Sequence, residues 1–255
     1  MIGLFDSGLG GLSVVRHVRS LLPLHDLIYL ADSAFCPYGP LPREQVTLRA
    51  LGCADWLIAQ GAQVIVIACN TASAAAAEIL RARLNVPVVA MEPGLKPAIE
   101  VTRTGHVGVL ATSGTLRGER FANLVERFAD GVEVHRVECP ALVELVETGE
   151  LSGPRATALV AAHVVPLIAA DVDTLVLGCT HFPALRTLIA EAAPQAMIID
   201  TGPAVATQVA RVACSVVLEP GSGTLRCATT GDPATVAPGV ANIWGSELPI
   251  EQATW

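Results

Sequence analysis

Two cysteines occupy matching positions in this chain. VIVIACNTAS (Val64 to Ser73) and TLVLGCTHFP (Thr174 to Pro183) each run an apolar stretch into a small residue, a cysteine and then polar side chains. Cys69 and Cys179 therefore stand at two equivalent strand ends. There the amides of a following helix are expected to lower a thiol's pKa from its free value of about 8.5 and leave it partly thiolate. Inverting a stereocentre by proton exchange needs a base on one face and an acid on the other. Two identical groups can trade those roles when the reaction reverses. Most cysteines are simply small buried hydrophobes, and Cys53, Cys139, Cys214 and Cys227 read that way.

Polar residues surround both thiols in the sequence. Asp6 and Ser7 end the first apolar run, before a GLGG turn read as exposing its amides to a carboxylate; either residue would also serve as a helix N-cap. His181 follows Cys179 by two positions. Asn70, Thr71, Thr112, Thr115 and Thr180 offer hydrogen bonds to a substrate carboxylate, or cap their own helices. Pro37, Tyr38 and Gly39, in the long loop DSAFCPYG, offer one wall. Zinc held by Cys69, Cys179 and His181 with Asp6 is the competing account, but no CxxC or HxxxH pair seeds it. GLGG lacks the G-x-G-x-x-G spacing of dinucleotide sites. Lys96, the only lysine, lies in the proline-flanked MEPGLKPA and is a poor candidate for a pyridoxal Schiff base. A cofactor-free enzyme is expected, with acid and base supplied by side chains.

The elements that position these residues follow from periodicity. Short β-branched runs at 2–5, 27–30, 64–68, 86–90, 107–110, 132–137, 174–177 and 197–199 alternate with helical patterns at 12–22, 43–60, 72–84, 117–129, 155–170 and 183–193. That alternation predicts α/β architecture with parallel, doubly covered sheets. A shift of 110 residues lays Cys69 on Cys179, Thr71 on His181, Val88 on Ile198 and Pro93 on Pro203, while IGLFDSG matches VGVLATSG at a shift of 105. Two pseudo-symmetric lobes are expected, residues 1–93 with 203–255 and residues 94–202, with crossings at MEPGLKPA and DTGPAVA. Ligands of open parallel sheets bind beyond the carboxyl ends of the strands, so the site is expected in the cleft between the lobes.

Composition excludes several classes. With 255 residues, 52% hydrophobic, the chain can bury a large core. A net charge of −8 with no Lys/Arg cluster argues against direct nucleic-acid binding. Seven scattered cysteines fit a reducing cytoplasm better than a disulfide framework. No run reaches the roughly 18–20 apolar residues of a membrane span, and the N-terminus has no export-signal pattern.

In this order and at these separations, DSGLGG, DSAFCPYG, ACNTAS and GCTHFP resemble the glutamate racemases of the aspartate/glutamate racemase superfamily. The resemblance spans nearly the whole chain. It implies cofactor-independent interconversion of L- and D-glutamate, supplying D-glutamate for peptidoglycan, with a homodimer as a compatible assembly. It further implies that Cys69 acts on D-glutamate assisted by Asp6, and that Cys179 acts on L-glutamate assisted by His181. Asp6, Ser7, Pro37, Tyr38, Gly39, Asn70, Thr71, Thr112, Thr115 and Thr180 match substrate-holding positions, and Glu147 matches an acidic residue near the second thiol. Two rival readings remain at this point: a two-cysteine racemase of aspartate or a hydantoin, and a non-catalytic protein that binds an amino acid or zinc.

Overall fold

A computed structural model describes all residues, Met1 to Trp255. Its first sheet has six parallel strands in the order β10-β9-β2-β1-β3-β4: β1 (Ile2–Asp6), β2 (Leu27–Ala31), β3 (Val64–Ile67), β4 (Val88–Ala90), β9 (Leu225–Thr229) and β10 (Ile250–Gln252). The second has four in the order β6-β5-β7-β8: β5 (His106–Ala111), β6 (Glu133–Glu138), β7 (Thr174–Gly178) and β8 (Met197–Asp200). The internal repeat is visible in that order. Strands β2-β1-β3-β4 occupy the places of β6-β5-β7-β8, so the chain motif that ends in Cys69 and the one that ends in Cys179 follow the same relative strand.

Strands buried on both faces explain why the runs read as continuous hydrophobes rather than alternating ones. Every residue of β1, β2, β3 and β7 is buried. Ile2, Leu4, Leu27 and Val64 face a core with α1 (Leu12–Leu21) and α10 (Gly202–Ser215), whereas Phe5, Ile28, Ile65 and Ile67 face one with α2 (Arg43–Ala59) and α3 (Asn70–Arg83). Gly3 in β1 lets α2 and the turn after it lie close, since a Cβ there would fall 3.2 Å from Leu57 Cβ and 2.8 Å from Ala62 Cβ. The smaller sheet likewise separates a core under α7 (Pro140–Glu147), α8 (Pro154–Ala169) and α9 (Arg186–Ala192) from one under α4 (Leu95–Val101) and α6 (Glu119–Phe128).

The proline-bearing segments hold helix starts that periodicity did not reveal. MEPGLKPA leads into α4, and DTGPAVA opens α10, whose Val205, Ala206, Val209 and Ala213 pack back onto the first sheet's core. Lys96 is exposed on α4 and 3.9 Å from Glu100, away from the cysteines. No helix is long and apolar enough to cross a membrane.

Candidate active site

The sequence after β1 makes a tight turn whose polar groups all find partners. Asp6 is fully buried: Oδ1 accepts from the Ser7 amide at 2.7 Å, and Oδ2 from the Gly11 amide at 2.6 Å and the Thr180 hydroxyl at 3.1 Å. The Leu9 amide donates to Glu147 Oε1 at 2.7 Å. These turn amides therefore serve two carboxylates of the chain itself. Glycine is required here by close approach, since a Cβ on Gly8 would lie 2.0 Å from Glu147 Oε1, and one on Gly10 would lie 2.4 Å from His181 Nδ1.

Cys69 is the N-cap of α3, its Sγ accepting from the Ala72 amide at 3.5 Å and lying 3.9 Å from Ser7 Oγ. The helix start was expected to favour a thiolate. Instead the Cys69 pKa lies well above that of a free thiol, because burial and the neighbouring Asp6 carboxylate outweigh one helix amide. Asp6 is itself raised by burial, against the lowering influence of His181 and Cys69. Burial thus raises the proton affinity of both groups on this side of the site.

The Cys179 side is built differently. A short 3₁₀ turn (Phe182–Leu185) rather than an α-helix follows it, so no helix N-terminus lies at its sulfur. His181 turns back instead, with Nδ1 3.5 Å from Cys179 Sγ and Nε2 2.5 Å from Glu147 Oε1. Burial opposes charge on His181, yet Cys179, Cys36 and Glu147 hold its pKa well above the ordinary imidazole value. Burial would raise Glu147, but His181 and the Leu9 amide bring it below the usual carboxylate range. The outcome is an imidazolium-carboxylate pair behind one thiol and a protonation-prone carboxylate behind the other.

Ser7, Pro37, Tyr38, Gly39, Cys69, Asn70, Thr71, Thr112, Cys179, Thr180 and His181 line one small cavity together with Val143. Asn70 presents both amide atoms there, buried and without a protein partner, which is the condition of a side chain waiting for a ligand. The Thr112 hydroxyl meets Thr71 at 2.8 Å and Thr115 at 3.0 Å, forming a triangle of hydroxyls across the two lobes. Asp6, Thr115 and Glu147, expected to hold substrate, do not line the cavity; they hold groups that do. The competing zinc set of Cys69, Cys179, His181 and Asp6 does not gather as a group, although Cys179 alone lies 3.5 Å from His181, whereas Cys36 and Glu147 cluster with His181 within ligand reach.

Three supporting residues escaped sequence reading. The Tyr38 hydroxyl donates to Asp32 Oδ2 at 2.5 Å, and Arg49 grips the same carboxylate with Nε at 2.9 Å and Nη2 at 2.7 Å. Asp32 is fully buried, and the Arg49 guanidinium stacks 3.9 Å from the Phe35 ring centroid. Only the ADSAF loop hinted at this, because Arg49 meets it from the middle of α2. Replacing Arg49 by Ala is expected to destabilise the fold by about 3 kcal/mol, because it leaves a buried carboxylate without its cation. Urea unfolding measures that loss, and a raised KM for substrate would report the loosened Tyr38 wall.

The model of the Asp/Glu/Hydantoin racemase family matches residues 12–209. A glutamate racemase of Roseiflexus sp. is 49% identical over 246 residues, covering 92% of this chain and 89% of that protein. The crystal structure of glutamate racemase isoform RacE1 from Bacillus anthracis superposes with a TM-score of 0.88 at 30% identity, covering 100% of this chain and 97% of the other. That of the Francisella tularensis glutamate racemase in complex with D-glutamate gives 0.86 at 28% identity, covering 99% and 97%. Sequence, fold and cavity thus agree: the chain belongs to the Asp/Glu/hydantoin racemase family and groups within it with the glutamate racemases.

Proposed function

We propose that this chain interconverts L- and D-glutamate through two thiols, Cys69 and Cys179, in the cavity between residues 1–93 with 203–255 and residues 94–202, and so supplies D-glutamate for peptidoglycan. The observation that carries this reading is that two cysteines from equivalent strand ends open on one cavity whose other walls are hydroxyl and amide groups. Cys69 takes the α-proton of D-glutamate and Cys179 that of L-glutamate, and the opposite thiol delivers a proton to the planar intermediate. Asn70, Thr71 and Thr180 fit the substrate carboxylate and the charge that develops on it. Asp6, a buried carboxylate beside Cys69 whose proton affinity is raised by that burial, is placed to accept the proton that Cys69 must lose to act as a base. His181, paired with Glu147, stands 3.5 Å behind the Cys179 sulfur and assists its proton exchange.

Cys69's elevated pKa fits a site completed by its substrate. The α-ammonium of a bound amino acid brings positive charge into the cavity, and a cation within a few ångströms favours the thiolate. In heavy water, metal-free and pyridoxal-free protein is expected to incorporate deuterium at Cα of either glutamate enantiomer, followed by NMR, and to act far more slowly on aspartate. Folded, reduced protein that exchanges neither enantiomer overturns the catalytic reading. Faster exchange on aspartate, or turnover of a hydantoin, would move the substrate and leave the chemistry.

A further inference from the structure

We propose that His106, Glu133 and His135 form a binding site for one imidazole-preferring divalent cation of the zinc or nickel class, at the end of the smaller sheet opposite the cysteine cavity. His106 begins β5 and Glu133 begins β6, and the two are register partners across the parallel pair, with His135 two residues further on and on the same face. Nδ1 of His106 lies 3.1 Å from Nε2 of His135. The Glu133 carboxylate spans the pair, with Oε2 3.7 Å from His106 Nδ1 and Oε1 3.6 Å from His135 Nε2.

Those separations match a coordination shell. With metal-nitrogen bonds of about 2.0–2.1 Å, two ligand nitrogens stand roughly 2.9 Å apart at a right angle and about 3.4 Å apart at the tetrahedral angle. The imidazole spacing lies between these limits. The carboxylate is slightly wide, and Glu133, the most exposed of the three at 66%, is free to swing inward. Two imidazoles plus one carboxylate suit zinc, nickel, cobalt or copper, whereas magnesium and calcium prefer all-oxygen shells. Solvent supplies the remaining positions, since both histidines are partly exposed, at 30% and 20%.

The position also defines the consequence. His106 and Glu133 sit at the amino ends of their strands, while Thr112 and Cys179 follow the carboxyl ends of β5 and β7. A cation here clips the edge strand β6 to the central strand β5 and stabilises the lobe by mass action. It takes no part in proton transfer.

Titrating the reduced, metal-free chain with nickel chloride by calorimetry tests this. One nickel per chain is expected, with affinity reduced about tenfold or more in His106→Ala and His135→Ala. Nickel should raise the melting temperature of the parent chain but not of His135→Ala, and Glu133→Gln should show an intermediate loss of affinity. Glu133 is exposed enough for that variant to fold whatever becomes of the histidine variants. Nickel affinity unchanged in His135→Ala overturns the site, as does the absence of saturable binding, which would leave an imidazole-imidazole hydrogen bond only. Binding that disappears in Cys36→Ser and survives in the histidine variants also overturns it, by placing the ion at the Cys36, Glu147 and His181 cluster.

Discussion

Cys69→Ala and Cys179→Ala are each expected to lose racemisation in both directions by about 10³-fold or more, near the upper end of what one positioned acid or base contributes. Because the two enantiomers are mirror images in free solution, their equilibrium constant is one, and kcat/KM must remain equal in the two directions for any variant. A one-sided lesion in the site therefore cannot produce a one-sided enzyme. It does produce one-sided exchange: each variant keeps a thiol on one face, so slow deuterium incorporation should persist for L-glutamate in Cys69→Ala and for D-glutamate in Cys179→Ala. Neither substitution removes much packing. The Cys69 cap hydrogen bond is long at 3.5 Å, and losing an N-cap costs about 1 kcal/mol, so circular dichroism should show an intact fold. Substantial racemisation by either variant removes that thiol from the mechanism, and exchange of the same enantiomer by both variants removes the assignment of faces.

The difference in the two surroundings appears elsewhere. Asp6 and Cys69 share a fully buried, proton-retaining corner, whereas Cys179 faces a histidine charged by Glu147. With equal kcat/KM, that asymmetry is expected to show as different kcat and KM values for the two enantiomers. Two like thiols thus stand at the ends of like strands with different partners around them.

Much of this was legible from residue order because parallel strands buried on both faces write themselves as apolar runs. All eight expected strands form, and the shift that superimposes Cys69 on Cys179 also superimposes β4 on β8. Strands β9 and β10 were not legible. LRCAT and IEQ, the last two strands toward one side of the sheet, carry Arg226, Glu251 and Gln252, and Arg226 pairs with Glu251 across the two strands instead of entering the core. Helix α11 (Pro233–Trp244) hides behind an internal Pro238. Within the site, the residues that line the cavity lay beside recognisable motifs, but Asp32 and Arg49 act on Tyr38 through contacts that only folding creates. The expected thiolate at Cys69 failed because a helix amide is visible in a sequence and the loss of solvent around it is not.

The second large effect belongs to Glu147→Gln, which keeps an acceptor for the Leu9 amide while removing the charge opposite His181. In the parent chain His181 has its pKa raised above 6.5, so its contribution to stability is full below that value and is lost as pH climbs through the raised pKa. Glu147, lowered from 4.5, contributes above that value and loses its contribution as pH falls through the depressed pKa. Both contributions are present together only between those limits, and Glu147→Gln cancels both. Breaking a buried pair costs about 3–5 kcal/mol; with the Glu147 side chain 22% exposed, about 2–3 kcal/mol is expected near neutral pH, shrinking toward acid. Urea unfolding at about pH 7 and about pH 4 measures the difference, and an equal loss at both would mean that packing rather than charge was removed. For turnover, an imidazole without its carboxylate holds its proton less firmly, so the alkaline limb of the pH-rate profile should move down toward neutrality and kcat should fall by about 10²-fold. Glu147→Asp, which keeps the charge on a shorter arm, should recover part of that limb. An alkaline limb unmoved in Glu147→Gln would assign it to another group and leave His181 a spectator to the Cys179 thiol.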